Sequence, residues 1–256
     1  MANSLARLSL NECKLQFYEM RQYWFETVFG LLFFSGLFLA LFFGIKIFIP
    51  DDQNTLSLDG LMMGYVLFAF CSGAFNAVPE TLGSYTQKGF LEQLYMTPSG
   101  FTSFLIARVL ATLFVTLLST IVLAYFAMAV SGNWIDLNLF VLVPLLFLMS
   151  PSIIGIGMII GGMTLVYKRV GIVANLAMLG IIALVSIPAL PPNLASLLPL
   201  APGAHLARIA VLEQQSVPLT YFLIVMLNSV FYLALGMVIY KQFEKMAKRK
   251  NLVGQY

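Results

Sequence analysis

The sequence predicts an all-α protein that crosses a membrane six times, and three observations carry that prediction. Of 256 residues, 60% are hydrophobic and only 10% are charged, against about 25% charged in ordinary globular proteins; the mean hydropathy is +0.92. Two long stretches, Thr27 to Ile45 and Val109 to Ile135, contain no charged residue. An apolar helix of about 20 residues crosses the hydrocarbon core, where every backbone polar group must be bonded internally. Finally, the apolar runs do not alternate with polar residues, as the roughly ten-residue strands of a transmembrane barrel would. Spans are expected at 28–49, 61–79, 101–130, 138–166, 170–190 and 218–240, within a single domain covering 1–256.

The first 27 residues have a pattern of their own. Arg7, Lys14 and Arg21 recur every seven residues, and so do Glu12, Glu19 and Glu26. At 100° per residue the bases form one stripe, the acids another, and Leu10, Phe17, Met20 and Trp24 a third beside the bases. This predicts a helix lying on the membrane surface, with apolar residues down, bases beside anionic head groups and acids towards the cytosol. "YWF" at 23–25 suits the interface. Six charges before residue 27, with no short apolar core ahead of a small-residue cleavage site, are unlike a cleavable signal.

The connections set the orientation. Bases lie at 7, 14 and 21, at 168–169 between the fourth and fifth spans, and at 241, 245 and 248–250, whereas "PDDQNTLSLDG" and "SGNWID" carry acids alone. Because Lys and Arg accumulate on the cytoplasmic side, both termini are expected in the cytoplasm, with 241–256 a basic tail. In the fourth span Pro144 and Pro151 are expected to kink the helix, and Gly155, Gly157, Gly161 and Gly162 form a small-residue face suited to close helix packing. Between the fifth and sixth spans, "PPNLASLLPLAPGAHLARIAVLEQQSVP" is too apolar for a free loop and too broken by proline to span. It predicts a pair of short helices dipping into the outer leaflet. Among mid-span polar groups, Asn76, Asn175 and Asn228 either bond neighbouring helices or contact cargo, and Lys46 and Arg108 near span ends are expected to snorkel.

Chemistry-bearing patterns are sparse. One histidine, His205, and two cysteines, Cys13 and Cys71, make neither a multi-histidine metal site nor an expected disulfide. Neither a phosphate-cradling G-x-x-x-x-G-K-[ST] nor H-E-x-x-H occurs. No catalytic pair lies within the spans, and no mid-span acid suggests an ion-coupled carrier. A net charge of +3 gives no reason to expect a nucleic-acid partner.

The segment "KGFLEQLYMTPSG", 88–100, stands out between two apolar spans. Residues 88–96 predict two turns of helix with Phe90, Leu91, Leu94 and Tyr95 on one face; Pro98 stops it. Two turns alone are unstable in water, so packing on the chain itself or on a partner has to hold them.

From Glu80 to Pro98, this stretch resembles the cytoplasmic loop of type-2 ATP-binding-cassette (ABC) exporter permeases. There an acid near the end of the second span precedes G-T-L-E-x-L-x-x-T-P; here Gly89, Leu91, Glu92, Leu94, Thr97 and Pro98 match and Phe90 stands for Thr. The expected layout of interfacial helix, six spans, basic break and proline-broken outer hairpin is similar along the whole chain. The resemblance implies a permease subunit without catalytic activity, in a plasma (inner) membrane. A separate cytoplasmic ATPase, carrying the ATP and Mg, would grip Glu80, Gly89, Leu91, Glu92, Leu94, Thr97 and Pro98, and a second permease copy, as a homodimer, would complete the path. In such exporters the first, second and fifth spans face the dimer axis. Phe34, Phe38 and Phe42 form one stripe of the first span; with Tyr65, Asn76 and Asn175 they would line a path for an amphipathic or hydrophobic cargo (drug-like, lipid or lipid-linked). A polysaccharide or glycolipid exporter, and a six-span channel or scaffold without an ATPase, are the alternatives.

Overall fold

The computed structural model describes residues 2–48, 54–87, 89, 101–132, 134–135, 137–167, 170–212 and 218–249. Among them are eight α-helices, one short 3-10 helix and no strand. The helices are α1 (Ala2–Gln22), α2 (Trp24–Phe48), α3 (Asn54–Gln87), α4 (Phe101–Ser131), α5 (Leu139–Val166), α6 (Gly171–Ser186), α7 (Ala201–Leu212) and α8 (Leu219–Arg249), with the 3-10 turn at Leu194–Leu197. Five of them, α2, α3, α4, α5 and α8, are long and apolar enough to cross a membrane. The chain is therefore a multi-pass helical membrane protein. The fifth expected span, 170–190, is represented by α6, an apolar helix of 16 residues. At 1.5 Å per residue it is shorter than a hydrocarbon core of about 30 Å.

Two helices outrun their expected bounds. α3 continues through Pro79 to Gln87, and α8 runs on through the bases 241–249, so most of the expected tail is the last turns of a helix. Proline at 79 supplies no N–H to the Phe75 carbonyl four residues earlier. Gly157 of α5 packs against that carbonyl, where any Cβ would collide with the Phe75 oxygen. The pairing of Pro79 with Gly157 turns a break in one helix into a seat for another.

α3 is the centre of the bundle, packed on α4, α5, α6 and α7, and the most extensive contact joins α5 to α8. Hydrophobic burial drives helix association little in lipid, since lipid tails are as apolar as the helices; close van der Waals approach and hydrogen bonds replace it. Gly155 and Gly236 supply that approach. A Cβ on either would strike backbone of the facing helix, at Tyr232 and Leu233 in one case and at Gly155 itself in the other. Gly161 abuts Val78 and Leu82, Gly162 abuts Phe243, and Gly203 of α7 abuts Met149. The glycines of α5 are thus contact points.

The segment between α6 and α8 is built as its prolines require. A turn through the cis Leu190–Pro191 bond leads to the 3-10 turn, whose Asn193 side chain accepts from Ser196 N, and then to α7. Broken helices leave carbonyls without partners, and here side chains from α5 and α8 supply them. Asn228 Nδ2 donates to the carbonyls of Ser196 and Leu198 at 3.2 and 3.0 Å, and Tyr232 Oη to that of Leu197 at 2.7 Å. Ser152 Oγ donates to Asn228 Oδ1 and accepts from Leu200 N. Leu200 itself has a left-handed φ of 68°, a conformation that branched and bulky residues avoid unless their surroundings fix it. His205 Nδ1 accepts from Leu190 N, closing the hairpin on itself. Arg208, on α7, lies over Gly64 of α3, and burial pushes its guanidinium pKa down.

Candidate functional site

α1 and the start of α4 meet through charge. Arg108 Nη2 donates to Glu19 Oε2 at 2.7 Å and Nη1 to Glu12 Oε2 at 3.3 Å. One turn on, Gln16 Nε2 donates to Thr112 Oγ1 at 2.6 Å, and Thr112 Oγ1 donates to the Arg108 carbonyl at 2.9 Å. Two sequence-based expectations are corrected here. The acids of α1 do not point to the cytosol: Glu12 is buried and turned to α4. Arg108 does not snorkel either, because its largely buried guanidinium is held by two carboxylates of α1. The physical reason is shared, since an unpaired guanidinium inside a span is costly and a surface helix carrying acids every seventh residue can neutralise it. Burial is the largest influence on Glu12 and pushes its pKa above the ordinary 4.5, with attraction to Arg108 opposing it. The rest of α1 keeps its predicted faces. Arg7, Lys14 and Arg21 are exposed, and Leu10 and Phe17 are 62% and 47% exposed, as an apolar face resting on a bilayer requires.

Two cavities adjoin this latch and a third lies on the other side of α3, and Glu80 lines all of them. The first, about 350 Å³, lies between α1, α3 and α4 and is walled by Gln16, Glu19, Tyr23, Glu26, Glu80 and Arg108. The second, about 430 Å³, lies between α2, α3 and α4, with Glu26, Phe34, Asn76, Glu80, Thr112 and Thr116 on its walls. The third, about 710 Å³, lies between α3, α5 and α6, where Asn76 and Glu80 face Thr164, Tyr167 and Ile172. Three helices present polar stripes to this region. On α3 they are Ser72, Asn76, Glu80 and Ser84; on α4, Arg108, Thr112 and Thr116; on α1, Gln16 and Glu19, continued by Tyr23 and Glu26. All are spaced by three or four residues, so each stripe follows one helical face.

The expected site residues fall into separate places. Phe34 and Asn76 share the middle cavity. Phe38 and Phe42 are 1% exposed and Tyr65 8%. Their rings pack together, Phe38 to Tyr65 at 4.4 Å and Phe38 to Phe42 at 5.6 Å between centroids, on the α2–α3 seam. Asn175 is exposed on α6, outside the cavity walls. Asn228 serves the hairpin. Gly89 is exposed at a left-handed φ of 70°, and its N–H donates to the Thr86 carbonyl, ending α3 as a glycine ends many helices. Leu91, Glu92, Leu94, Thr97 and Pro98 lie outside the described residues. Sequence reasoning missed the Arg108 latch and the place of Glu26; the seven-residue spacing of Glu12, Glu19 and Glu26, with Gln16 on the same face, was the signal that pointed to them.

Among the described residues no group of three or more His, Cys, Asp or Glu side chains is disposed to hold a metal ion. No family model matches the chain, and no curated protein matches it.

Proposed function

We propose that this chain is the membrane permease of an ATP-driven exporter, working as a pair of copies with a separate cytoplasmic ATPase. The observation that carries the reading is the segment "KGFLEQLYMTP" directly after α3. It matches the loop on which type-2 ABC permeases receive their ATPase, and α1 is anchored at that same end of the bundle through Arg108 and Thr112 of α4. In this reading Gly89, Leu91, Glu92, Leu94, Thr97 and Pro98 form the docking element, and Glu80 links it to the cavity walls. α6 completes six crossings, with its short length made up by the turn that leads to the hairpin. Both termini face the cytoplasm of an inner membrane, following the bases at the N-terminus, at 168–169 and along the end of α8.

ATP and Mg belong to the partner. Closure of the two ATPases on ATP would move the docking elements as rigid bodies and shift the permease pair between two openings, the free energy coming from the ATPase's different affinity for each. The cargo is amphipathic or hydrophobic, since Phe34, Leu31 and Leu123 face the middle cavity beside its polar groups.

The test is affinity purification of the tagged chain from its native membrane. A P-loop ATPase is expected to co-purify, and Glu92→Lys should lose it at least about tenfold while still inserting, as loss of an interfacial charge contact does. Recovery of the chain with no ATPase, or an ATPase indifferent to Glu92→Lys, would defeat the docking role and favour the channel or scaffold alternative.

A further inference from the structure

The recess bounded by α1, α2, α3 and α4 is chemically one-sided. Its α1 cavity is walled by three carboxylates, Glu19, Glu26 and Glu80, against one guanidinium, that of Arg108. Arg108 is already engaged by Glu12 and Glu19. Glu26 and Glu80 form no ion pair with any described residue, yet they lie close enough to act on one another electrostatically. They also belong to the walls of both the α1 cavity and the middle cavity, so the two spaces share them. Two carboxylates on the walls of one recess, unpaired among the described residues, repel, and a cation between them relieves that repulsion.

A second, independent feature has the same polarity. Gln16 is 8% exposed, its Nε2 is used on Thr112, and its Oε1 has no partner, although Gln16 walls the same cavity. A buried amide oxygen without a donor is costly. The recess therefore offers the Glu26 and Glu80 carboxylates and the Gln16 oxygen as acceptors, against one unpartnered charged donor, Arg108 Nε, whose guanidinium is already committed to Glu12 and Glu19. Among the described residues no three His, Cys, Asp or Glu side chains are grouped so as to hold a metal ion. On the far side, the middle cavity adds Leu31, Phe34, Val115 and Leu123, an apolar wall beside the charged end.

We propose that this recess is a binding site for a protonated amine on an apolar body, the ammonium donating to Glu26, Glu80 and Gln16 and the body lying along Phe34 and Leu123. A primary ammonium has three N–H donors for three acceptors, and it neutralises the charge that the described residues leave uncompensated there. The inference rests on the exporter reading only in making such an amine the cargo; the site itself stands without it.

The experiment uses the full chain in nanodiscs of zwitterionic lipid, with pyrenebutylamine as the probe and its neutral N-acetylated counterpart as control, read by fluorescence anisotropy. The amine should bind at least about tenfold more tightly than the acetylated compound, as loss of a charge-assisted hydrogen bond predicts. The isosteric double variant Glu26→Gln, Glu80→Gln should weaken the amine by a similar factor and leave the acetylated compound unchanged. Gln16→Leu should weaken the amine less, by about threefold. Equal binding of the two compounds to the wild type, or full amine affinity in the double variant, would overturn the proposal. If the double variant elutes as aggregate, each single Gln variant is measured the same way, and retention of full amine affinity by both overturns it as well. Amine binding without ATP-driven amine transport would count against the exporter reading and leave the site standing. ATPase co-purification without amine binding would do the reverse.

Discussion

The two sides of α3 handle polar groups in opposite ways. On the α5–α8 side, helices approach backbone to backbone at Gly155 and Gly236, and three polar side chains, Ser152, Asn228 and Tyr232, are consumed by hairpin groups. On the α1–α2–α4 side the contacts are fewer, two cavities open, and among the described residues Glu26 and Glu80 form no ion pair and the Gln16 oxygen has no partner. In a bilayer, where an unsatisfied polar group costs more than in water, a fold that closes the α5–α8 seam and leaves the α1–α2–α4 recess open has divided scaffold from site. A polar residue therefore cannot be read as structural or functional from its type; it depends on which side of α3 it faces.

The comparison breaks most sharply at the glycines. Gly155→Leu forces a branched side chain into the backbone of Tyr232 and Leu233, which cannot rotate away. We expect a loss of about 3 kcal/mol or more, the upper range for overpacking, seen as a lower thermal midpoint in detergent. The same change at Gly30, which has open space around it, should cost far less. Similar losses at both positions would mean that the α5–α8 side is no tighter than the other.

The next effect is at the latch. Arg108→Leu leaves Glu12 buried without its counter-charge and should release α1 at a cost of about 2–3 kcal/mol, below the full value for a deeply buried pair because Glu19 is partly solvated. Hydrogen exchange should rise in α1 and hardly change in α8. Adding Glu12→Leu should restore much of the protection, because the penalty is that of the stranded charge. Failure of the second change to rescue would show that α1 is held by packing rather than by charge.

A smaller loss is expected on the closed side. Asn228→Leu removes donors from the carbonyls of Ser196 and Leu198, and interhelical hydrogen bonds in membranes contribute about 0.6–2 kcal/mol. Faster exchange confined to the segment 196–200 would report it, whereas unchanged exchange would mean that other groups satisfy the hairpin.

The smallest effect is the pH dependence of the latch. The native pKa of Glu12 is raised above the ordinary 4.5, so between those two values the folded chain binds more proton than the unfolded one. Stability then falls as pH rises through that window, and it is fully present below 4.5. Protection of α1 should therefore weaken slightly as pH rises from 4.5, and Glu12→Gln should flatten the slope. A slope of opposite sign would mean that attraction to Arg108 outweighs burial.

Composition and periodicity alone were enough to establish a helical membrane protein, the separate apolar and basic faces of α1, the contact role of the α5 glycines and the broken hairpin. Each of these follows from chain-local facts: the lack of charge over a span, the 100° step of a helix, the fixed φ of proline, the missing Cβ of glycine. Partners across the bundle were another matter. Nothing near Arg108 in sequence announces Glu12 or Glu19, which lie 96 and 89 residues away, and nothing near Asn228 distinguishes it from Asn76 or Asn175. Nor did the aromatic spacing of α2 tell Phe34, on a cavity wall, from Phe38 and Phe42, locked in the seam with Tyr65. Helix periodicity fixes which residues share a face, but the rotation and approach of each helix, set by close packing at glycines and by the pairing of charges, decide what that face meets.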